Sequence, residues 1–207
     1  MTMLGTSSDP ALAENSTPVL ETCRLVLRAP QMRDAPAIAA LANNRKIAEM
    51  TASLPFPYTI EDARAFVEKG CFTADSAVFA LWQKRAEGPA FIGMSGFTPR
   101  PGEATPELGY WLGEPYWGQG LATEAVRAVI DYAFSNTPVT ALCGSSRVVN
   151  AASRRVLEKC GFEWQDVNLW QVQALGASVP MDRFRLEKQQ WLSGDVPACP
   201  PRLTIAH

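Results

Sequence analysis

A glycine-rich turn in the middle of the chain places the strongest constraint on its fold. Residues 117–122 read Trp-Gly-Gln-Gly-Leu-Ala; they follow a β-like run from Glu107 to Leu112 and precede a helical run from Thr123 to Phe134. The small residues at positions 118, 120 and 122 let backbone N–H groups point into one concavity, towards which the positive end of the helix dipole is also directed. The segment therefore predicts a strand–turn–helix unit that can bind an anion such as a pyrophosphate.

The turn alone does not identify a ligand. It lacks the G-x-G-x-x-G pattern of dinucleotide-binding folds, because residue 123 is Thr, and no Gly-Lys-Ser/Thr follows as in a Walker A loop. An ordinary tight connection between a strand and a helix explains the two glycines equally well.

The rest of the chain alternates between strand-like and helix-like patterns. Further strands are predicted at Arg24–Arg28, Ala77–Trp82, Phe91–Phe97, Val139–Ser146, Phe162–Val167 and Met181–Leu186. Further helices are predicted after three capping residues, Asp34, Thr59 and Asn150, and the last of these helices ends at Gly161. The order βααβββαβαββ indicates a mixed α/β fold around an open central sheet.

Composition fits one globular domain and argues against several functional classes. Of 207 residues, 47% are hydrophobic and 19% are charged, and the net charge of −2 leaves no basic surplus for a nucleic-acid partner. No apolar run approaches the roughly 20 residues that span a bilayer, so no membrane partner is expected. We divide the chain into a flexible leader (residues 1–19), a single domain (residues 20–192) and a flexible tail (residues 193–207), because both ends lack periodicity.

Cysteine and histidine usage narrows the chemistry. The five cysteines are odd in number, scattered and without a C-x-x-C pair, which favours reduced thiols in a cytoplasmic protein. The only histidine is His207, the last residue of the sequence. Ser–His and Cys–His nucleophilic systems and histidine-based zinc sites are therefore disfavoured, and no metal is expected. Carboxylates, hydroxyls and backbone amides must carry most of the chemistry.

A second candidate segment begins at Asn150, directly after a predicted strand. Asn150 can cap the helix or offer its amide to a polar ligand, and Ser153 lies one turn later on the same face. Arg154, Arg155 and Lys159 give this helix a local positive charge. Judged from these residues alone, a solvent-facing serine and a solvated basic face are the more common explanations.

Several short motifs, in their order and spacing, resemble one family. They are residues 21–28 with Asp34 and Ala35, residues 109–112 (Gly-Tyr-Trp-Leu), residues 116–125 around the glycine turn, and residues 150–162 from Asn-Ala-Ala-Ser to Lys-Cys-Gly-Phe. Across residues 20–192 the chain resembles the GCN5-related N-acetyltransferase (GNAT) superfamily, and within it the ribosomal-protein-alanine acetyltransferase (RimJ/RimL-like) branch. The resemblance implies an α/β (α+β) fold with a mixed, mostly antiparallel central sheet, splayed at its middle, and helices on both faces.

The resemblance implies acetyl-CoA as the co-substrate. Its pyrophosphate is expected on the backbone amides of Trp117, Gly118, Gln119, Gly120, Leu121 and Ala122, with Thr123 beside them. The pantetheine arm is expected along the strand that ends at Leu112, and a backbone N–H near Leu112 would stabilise the oxyanion. Asn150 is expected to bind the pantetheine arm or the acceptor, and Arg155 the 3′-phosphate. Trp117 stands where the family usually has Gln or Arg, a departure that affects one side-chain contact.

Direct transfer to a primary amine requires two proton movements. An alkylammonium has a pKa of about 10 and must lose a proton before it attacks. Glu107, at the start of the strand beside the expected thioester, is the candidate base, although an ordinary surface carboxylate at a strand edge is an equal alternative. Ser153 matches the family position for the hydroxyl that assists the departing thiolate.

The sequence leaves the acceptor open. Phe56, Tyr58, Trp82 and Trp111 are candidates for the walls of its cleft, although such aromatic residues more often belong to a core. A protein N-terminal amine, a peptide, and a small molecule such as a polyamine, an amino acid or an aminoglycoside all remain open as acceptors. The branch favours a peptide or protein α-amine, and homodimers are frequent in the family. Two other hypotheses remain: a CoA-binding sensor on the same fold without turnover, and a nucleotide-binding regulator, which lacks a magnesium ligand at the expected spacing.

Overall fold

A ten-stranded sheet with helices on both faces forms the framework of the protein. The computed structural model describes residues 17–194 and the backbone of residues 202–205. The strands are β1 (Pro18–Glu21), β2 (Leu25–Arg28), β3 (Phe72–Thr73), β4 (Ser76–Gln83), β5 (Ala90–Thr98), β6 (Glu107–Leu112), β7 (Ala141–Arg147), β8 (Glu163–Val172), β9 (Ala177–Glu187) and β10 (Arg202–Ile205). The helices are α1 (Ala35–Ala42), α2 (Arg45–Ala48), α3 (Ile60–Glu68), α4 (Leu121–Asn136), α5 (Ala151–Lys159) and α6 (Lys188–Leu192).

The sheet is mostly antiparallel. Its strand order is β10-β1-β2-β4-β5-β6-β7-β9-β8, with the short β3 paired to β4. β6 and β7 run parallel, whereas the other neighbouring pairs are antiparallel. The expected fold class, a mixed α/β fold around an open and mostly antiparallel sheet, is confirmed.

The parallel pair at the centre of the sheet opens after two residues. Glu107 pairs with Cys143 and Leu108 pairs with Gly144, and the register between β6 and β7 ends there. β6 continues to Leu112 in register with β5, while β7 continues in register with β9. The two strands therefore diverge, and the β7-facing edge of residues 109–112 has no strand partner among the described strands.

A bulge in β5 lies beside the end of β6. The register between β4 and β5 shifts after Leu81, and Ile92 of β5 is left without an opposite residue. The next residue, Gly93, has φ +153° and pairs with Leu112 of β6. Because a β-bulge bends its strand and increases the local twist, the sheet is deformed where β6 leaves β7.

Two apolar cores cover the two faces of the sheet. The first core lies against α4, α5 and α6 and includes Phe79, Phe97, Phe134 and Phe184, which are almost completely buried. The second core lies against α1 and α3 and is built from Ala35, Ile38, Ala42, Tyr58, Ala63, Ala80, Phe91 and Met94. Among the described residues, no helix has the length and apolarity that a membrane crossing requires.

The ends of the chain differ from the division expected from the sequence. β1 begins at Pro18, inside the expected leader, and β10, inside the expected tail, pairs with it in antiparallel register. Leu203, Thr204 and Ile205 have good strand propensity, but the prolines before them masked this pattern. Residues 1–16, 195–201 and 206–207 lie outside the described residues. The sequence also missed β3, α2 and α6, because elements of two to five residues are too short to show a period.

The three predicted helix caps have different outcomes. Thr59 and Asp62 form the predicted capping box of α3, with Asp62 N donating to Thr59 Oγ1 at 3.2 Å. Asn150 Oδ1 caps α5 by accepting from Ser153 N at 3.1 Å. Asp34 occupies the N-cap position of α1 as predicted, but its side chain makes no capping bond to this helix. Its carboxylate instead binds the Arg28 guanidinium at 2.7 and 2.8 Å, a charged partner that the linear sequence does not reveal.

Glu124 fixes the start of α4 to the turn between β1 and β2. Its carboxylate accepts hydrogen bonds from the Thr22 hydroxyl at 2.6 Å, from Arg24 N at 2.8 Å and from Arg24 Nε at 2.7 Å. Burial alone would raise the pKa of Glu124, but the hydrogen bonds from Thr22 and Arg24 outweigh it, and the pKa is lowered from its ordinary value of 4.5. The glycine turn is thereby held against the edge of the β1–β2 turn.

We expect Glu124→Gln to lower the free energy of unfolding at pH 7 by about 2 kcal/mol, because hydrogen bonds to a charged group are lost or weakened. A carboxyl whose pKa is lower in the folded state stabilises the fold above its unfolded pKa and loses this effect as the pH falls. The difference between the two proteins should therefore shrink below about pH 4. Urea unfolding between pH 3 and 8 measures this.

The control variant is Glu158→Gln, which removes an exposed ion pair with Arg154 on α5. Exposed pairs of this kind contribute only a few tenths of a kcal/mol. An effect of Glu124→Gln as small as that of Glu158→Gln would contradict the anchoring role.

Candidate active site

The glycine turn forms a shallow cradle at the start of α4. Gly118 and Gly120 both have φ +74°, a left-handed conformation that favours glycine. α4 begins at Leu121, and its first intrahelical acceptor is Gly120 O, which Glu124 N reaches at 3.1 Å. The N–H groups of Leu121, Ala122 and Thr123 precede this bond and have no partner within the helix. A Cβ at Gly118 would meet no atom within 4 Å, so the space beside the turn is open.

A guanidinium group adds positive charge beside the cradle. Arg24 Nη1 donates to Gln119 O at 2.8 Å, and Arg24 Nη2 lies 3.6 Å from where a Cβ of residue 120 would sit. Free helix N–H groups, the positive end of the α4 dipole and this cation converge on one place, which suits a bound phosphate. Sequence reasoning missed Arg24 as a contributor because it is about a hundred residues away in the chain.

Trp117 connects the turn to the end of β6. Its indole Nε1 donates to Leu112 O at 2.7 Å, and 44% of the residue remains exposed. The side chain that replaces the usual Gln or Arg thus holds the carbonyl of the residue at which the oxyanion-binding N–H is expected. Gln119 contributes a second local bond, from Nε2 to Pro115 O at 2.9 Å.

Ser153 lies close to β6 across the opening of the sheet. The Tyr110 hydroxyl lies 2.8 Å from Ser153 Oγ and 3.1 Å from the Ser153 carbonyl oxygen. Burial raises the pKa of Tyr110, while the hydrogen bond to Ser153 opposes this effect. The predicted thiolate donor is therefore not a solvent-facing helical serine: it is half-buried and bonded to a phenol.

Asn150 and Arg155 occupy different environments on the same helix. The Asn150 Oδ1 atom is used for the cap of α5, which leaves its amide NH₂ for a ligand. Arg155 is exposed, whereas the neighbouring Arg154 pairs with Glu158 and lies 3.5 Å from Asp182. The predicted contacts of Asn150 with pantetheine and of Arg155 with the 3′-phosphate stay predictions.

Glu107 lies at the closed end of the opening, where β6 still pairs with β7. Burial raises the pKa of this carboxyl; the Ser145 hydroxyl and the charges of Arg100 and Arg183 oppose the rise, and Glu103 adds to it. The Ser145 hydroxyl is buried near the Glu107 carboxyl but makes no hydrogen bond of full geometry. A half-buried carboxyl with a raised pKa is better suited to accept a proton near neutral pH than an ordinary exposed carboxylate.

The four aromatic candidates for the acceptor cleft differ in exposure. Phe56 is 40% exposed, with the Arg45 guanidinium 5.9 Å from its ring centre. Tyr58 is 6% exposed and belongs to the second core, where burial and the charge of Asp62 raise its pKa to about 12. Trp82 and Trp111 are half-buried and pack on that core, connected through Phe91 by edge-to-face ring contacts.

The segment after α2 contacts the C-terminal ends of β7 and β8. Arg147 Nη1 donates to Glu49 O at 2.9 Å, and Gln173 N donates to Ala52 O at 3.0 Å. These bonds place residues 49–52 against the last residue of β7 and the residue that follows β8. Sequence reasoning did not identify Arg147, although a charged residue at the last position of a buried strand is a signal that could have drawn attention to it.

No cluster of three or more histidine, cysteine, aspartate or glutamate residues is arranged to hold a metal ion within the described part of the chain. Around the open strand edge the structure places backbone amides, the Ser153 hydroxyl, the Tyr110 phenol and the half-buried carboxyl of Glu107.

Comparisons with known proteins agree with this geometry. The model of the "Acetyltransferase (GNAT) domain" family matches residues 24–163. The FsC-acetyl coenzyme A-N(2)-transacetylase of Aspergillus fumigatus is 28% identical over 130 residues, which are 58% of this chain. The match spans 55% of that relative's length. The uncharacterized N-acetyltransferase YoaA of Bacillus subtilis is 29% identical over 152 residues, which are 72% of this chain and 85% of YoaA.

The fold is also that of a solved RimL structure. RimL, a ribosomal L7/L12 alpha-N-protein acetyltransferase solved in complex with coenzyme A, superposes with a TM-score of 0.65 at 18% identity. The superposition covers 82% of this chain and 97% of RimL. Because the family model spans well over half of the sequence and the sheet opens as the resemblance implied, the chain belongs to the GNAT acetyltransferase family.

Proposed function

We propose that this acetyltransferase moves the acetyl group of acetyl-CoA directly onto a primary amine. The observation that carries the proposal is the junction of two features: the open edge of β6 at residues 109–112 and the cradle of free N–H groups at the start of α4. An extended pantetheine arm can pair with the open edge, while the pyrophosphate binds the cradle beside Arg24. Names of relatives such as YoaA support the same class of reaction.

Acetyl-CoA supplies an activated acetyl group when it is bound. The protein contributes orientation and dipoles: a backbone N–H near Leu112 stabilises charge on the carbonyl oxygen, and Trp117 holds the Leu112 carbonyl in place. Glu107 takes a proton from the amine through bound water, because it lies at the closed end of the opening and its raised pKa favours proton acceptance. The Ser153 hydroxyl donates a hydrogen bond to the departing sulfur.

A peptide or protein N-terminal α-amine is the acceptor that we propose. The RimJ/RimL-like motifs support it, and so does the similarity in fold to RimL, an alpha-N-protein acetyltransferase. The wall formed by residues 49–52 and Arg147, with the exposed Phe56 nearby in sequence, would meet the acceptor. Cytoplasmic location agrees with an acceptor of this kind and stays part of the proposal.

Calorimetric titration of acetyl-CoA into the wild type and into Gly120→Glu tests the cofactor site. We expect micromolar binding to the wild type and at least about tenfold weaker binding to the variant, because a carboxylate beside Arg24 removes positive charge from the cradle. Gly120→Ala is the matched control, since it imposes the same backbone strain without the charge.

A folded wild type that does not bind acetyl-CoA would refute the proposal. Binding without acetyl transfer to any of a broad panel of amines and N-terminal peptides would instead favour the non-catalytic CoA sensor. Transfer to one acceptor class would identify the substrate, with release of free CoA as the measurement.

A further inference from the structure

Tyr110 and Ser153 form a hydrogen-bonded pair across the opening of the sheet. Tyr110 lies on β6, beyond Leu108, the last residue of β6 that pairs with β7. Ser153 lies in the first turn of α5. The two hydroxyl oxygens are 2.8 Å apart, and the phenol oxygen is 3.1 Å from the Ser153 carbonyl oxygen. The pair therefore connects the strand edge expected to bind pantetheine with the helix that carries the expected thiolate donor.

The pair has two hydroxyl hydrogens and two possible arrangements. In the first, the phenol donates to the Ser153 carbonyl, and the serine donates to the phenol oxygen. In the second, the phenol donates to Ser153 Oγ, and the serine hydrogen is free for another acceptor. The exchange costs little at the carbonyl, because Ser153 O lies inside α5 and can accept the helical bond from residue 157 in both arrangements.

We infer that Tyr110 is a positioning residue for acetyl transfer: its phenol donates to Ser153 Oγ and thereby directs the single serine hydrogen to the sulfur of CoA. This inference rests on the proposed function. The backbone of Tyr110 belongs to the strand edge that is expected to bind pantetheine, whereas its phenol has no expected contact with the cofactor and acts through Ser153. A serine that accepts a hydrogen bond is also a stronger donor, because neighbouring hydrogen bonds polarise one another.

The protons balance without a net transfer from the protein. When the carbon–sulfur bond breaks, the electron pair stays on sulfur, and a thiol of this kind has a pKa of about 8.5. Both hydroxyls are weaker acids than that thiol, so they stabilise the thiolate by hydrogen bonding and keep their hydrogens. Burial holds the pKa of Tyr110 above its ordinary value of 10, which keeps the phenol a donor at neutral pH.

The Cys160 thiol is the other titratable group that affects Tyr110. Burial raises its pKa to about 12, against the opposing effect of Arg127. Cys160 therefore stays uncharged over the range in which the CoA thiol titrates. Ionisation of Cys160 therefore does not contribute to the difference in CoA titration between the wild type and Tyr110→Phe.

The test measures the thiol pKa of bound CoA, which requires no acceptor. CoA labelled with ¹³C at the carbon next to sulfur is titrated by NMR in complex with the wild type, Tyr110→Phe, Ser153→Ala and the double variant. We expect Ser153→Ala to raise the thiol pKa by about one unit, as for the loss of one hydrogen bond to an anion. Tyr110→Phe should raise it by about half a unit or more, and the double variant no further than Ser153→Ala alone.

Tyr132→Phe is the matched control, because it removes a half-buried phenol hydroxyl from α4 that packs against Phe79. It should leave the pKa of bound CoA unchanged. The affinity of CoA for Tyr110→Phe, measured by calorimetry, should stay within about twofold of the wild type, since pyrophosphate binding does not involve Tyr110.

Three results would overturn the inference. The first is a CoA thiol pKa in Tyr110→Phe equal to that of the wild type, with normal binding. The second is an additive effect of the two substitutions, which would mean that Tyr110 acts independently of Ser153. The third is the absence of CoA binding to the wild type, which refutes the proposed function as well and is therefore distinguishable from the other two.

A second measurement covers the case in which Tyr110→Phe does not fold. Replacement of the tyrosines by 3-fluorotyrosine preserves the ring and hydroxyl but makes the phenol a stronger donor. In the Ser153 protein it should lower the thiol pKa of bound CoA, and in Ser153→Ala it should have no effect. An equal response in both proteins would assign Tyr110 to a purely structural role.

Discussion

Gly93→Ala should destabilise the protein by about 4 kcal/mol, because the bulge in β5 admits no side chain at this position. A Cβ on Gly93 would lie 2.1 Å from Trp111 O and 2.9 Å from Leu112 Cα. Both are backbone atoms of the paired strand β6, which cannot rotate away. The backbone at φ +153° adds strain for an alanine. Overpacking and strain each cost about 1–3 kcal/mol, and urea unfolding measures their sum.

Gly88→Ala is the matched control for this substitution. Gly88 also has a positive φ, +115°, but a Cβ there would meet no atom within 4 Å. We expect a cost of about 1 kcal/mol from strain alone. If Gly93→Ala and Gly88→Ala destabilise the protein equally, the close approach between β5 and β6 is not as tight as the structure indicates. Gly93→Ala should also weaken acetyl-CoA binding, because it displaces Leu112.

Glu107→Gln should lower kcat/KM by about a thousandfold, within the range of 10²–10⁴ ascribed to general acid–base catalysis. Only the ionised carboxylate can accept a proton. Because burial raises the pKa of Glu107, this form appears later on the pH scale than for an ordinary glutamate. The wild-type rate should therefore rise as the pH passes through the raised pKa. This rise should be absent from the Glu107→Gln profile, measured as CoA release with the acceptor found in the amine screen.

Stability should change in the opposite direction from activity. A carboxyl whose folded pKa is raised stabilises the fold when it is protonated, and this contribution is lost as the pH increases through the folded pKa. Glu107→Gln should therefore be at least as stable as the wild type at pH 8. The control Glu87→Gln, which alters an exposed carboxylate in the β4–β5 turn, should leave both the rate and its pH profile unchanged. A Glu107→Gln enzyme with the wild-type rate would exclude Glu107 as the base.

Features that depend on neighbouring residues could be predicted from the sequence. The glycine turn, the capping box at Thr59 and the cap at Asn150 each involve residues within a few positions of one another, and the structure has all of them. The strands at the centre of the sheet were predicted within about two residues because their apolar runs are long. The opening between β6 and β7 followed from the family resemblance, since no local pattern encodes where two parallel strands separate.

Contacts between distant residues could not be predicted. Tyr110 and Ser153 are 43 positions apart, and Arg24 and Glu124 are 100 positions apart. Whether such residues meet depends on strand register and on the bulge at Gly93, which moves every later residue of β5 relative to β4. The burial of Tyr58 has the same origin, because the core against which its ring packs is built from residues that are distant in the sequence. The roles of the four aromatic residues towards an acceptor stay predictions.

Because β6 and β7 pair over only two residues each, the sheet consists of two halves with a narrow connection between them. One half of the sheet ends in β6 and the other begins with β7, and the connection between them consists of two residue pairs. The two halves are otherwise held together by α4, α5 and side chains such as Tyr110. A pantetheine arm in the opening would connect the two halves, because it would hydrogen-bond to β6 and pack against β7. Binding of acetyl-CoA would then make the connection between the two halves more rigid, and release of CoA would loosen it. The rigidity of the whole sheet would thus depend on whether the co-substrate is bound.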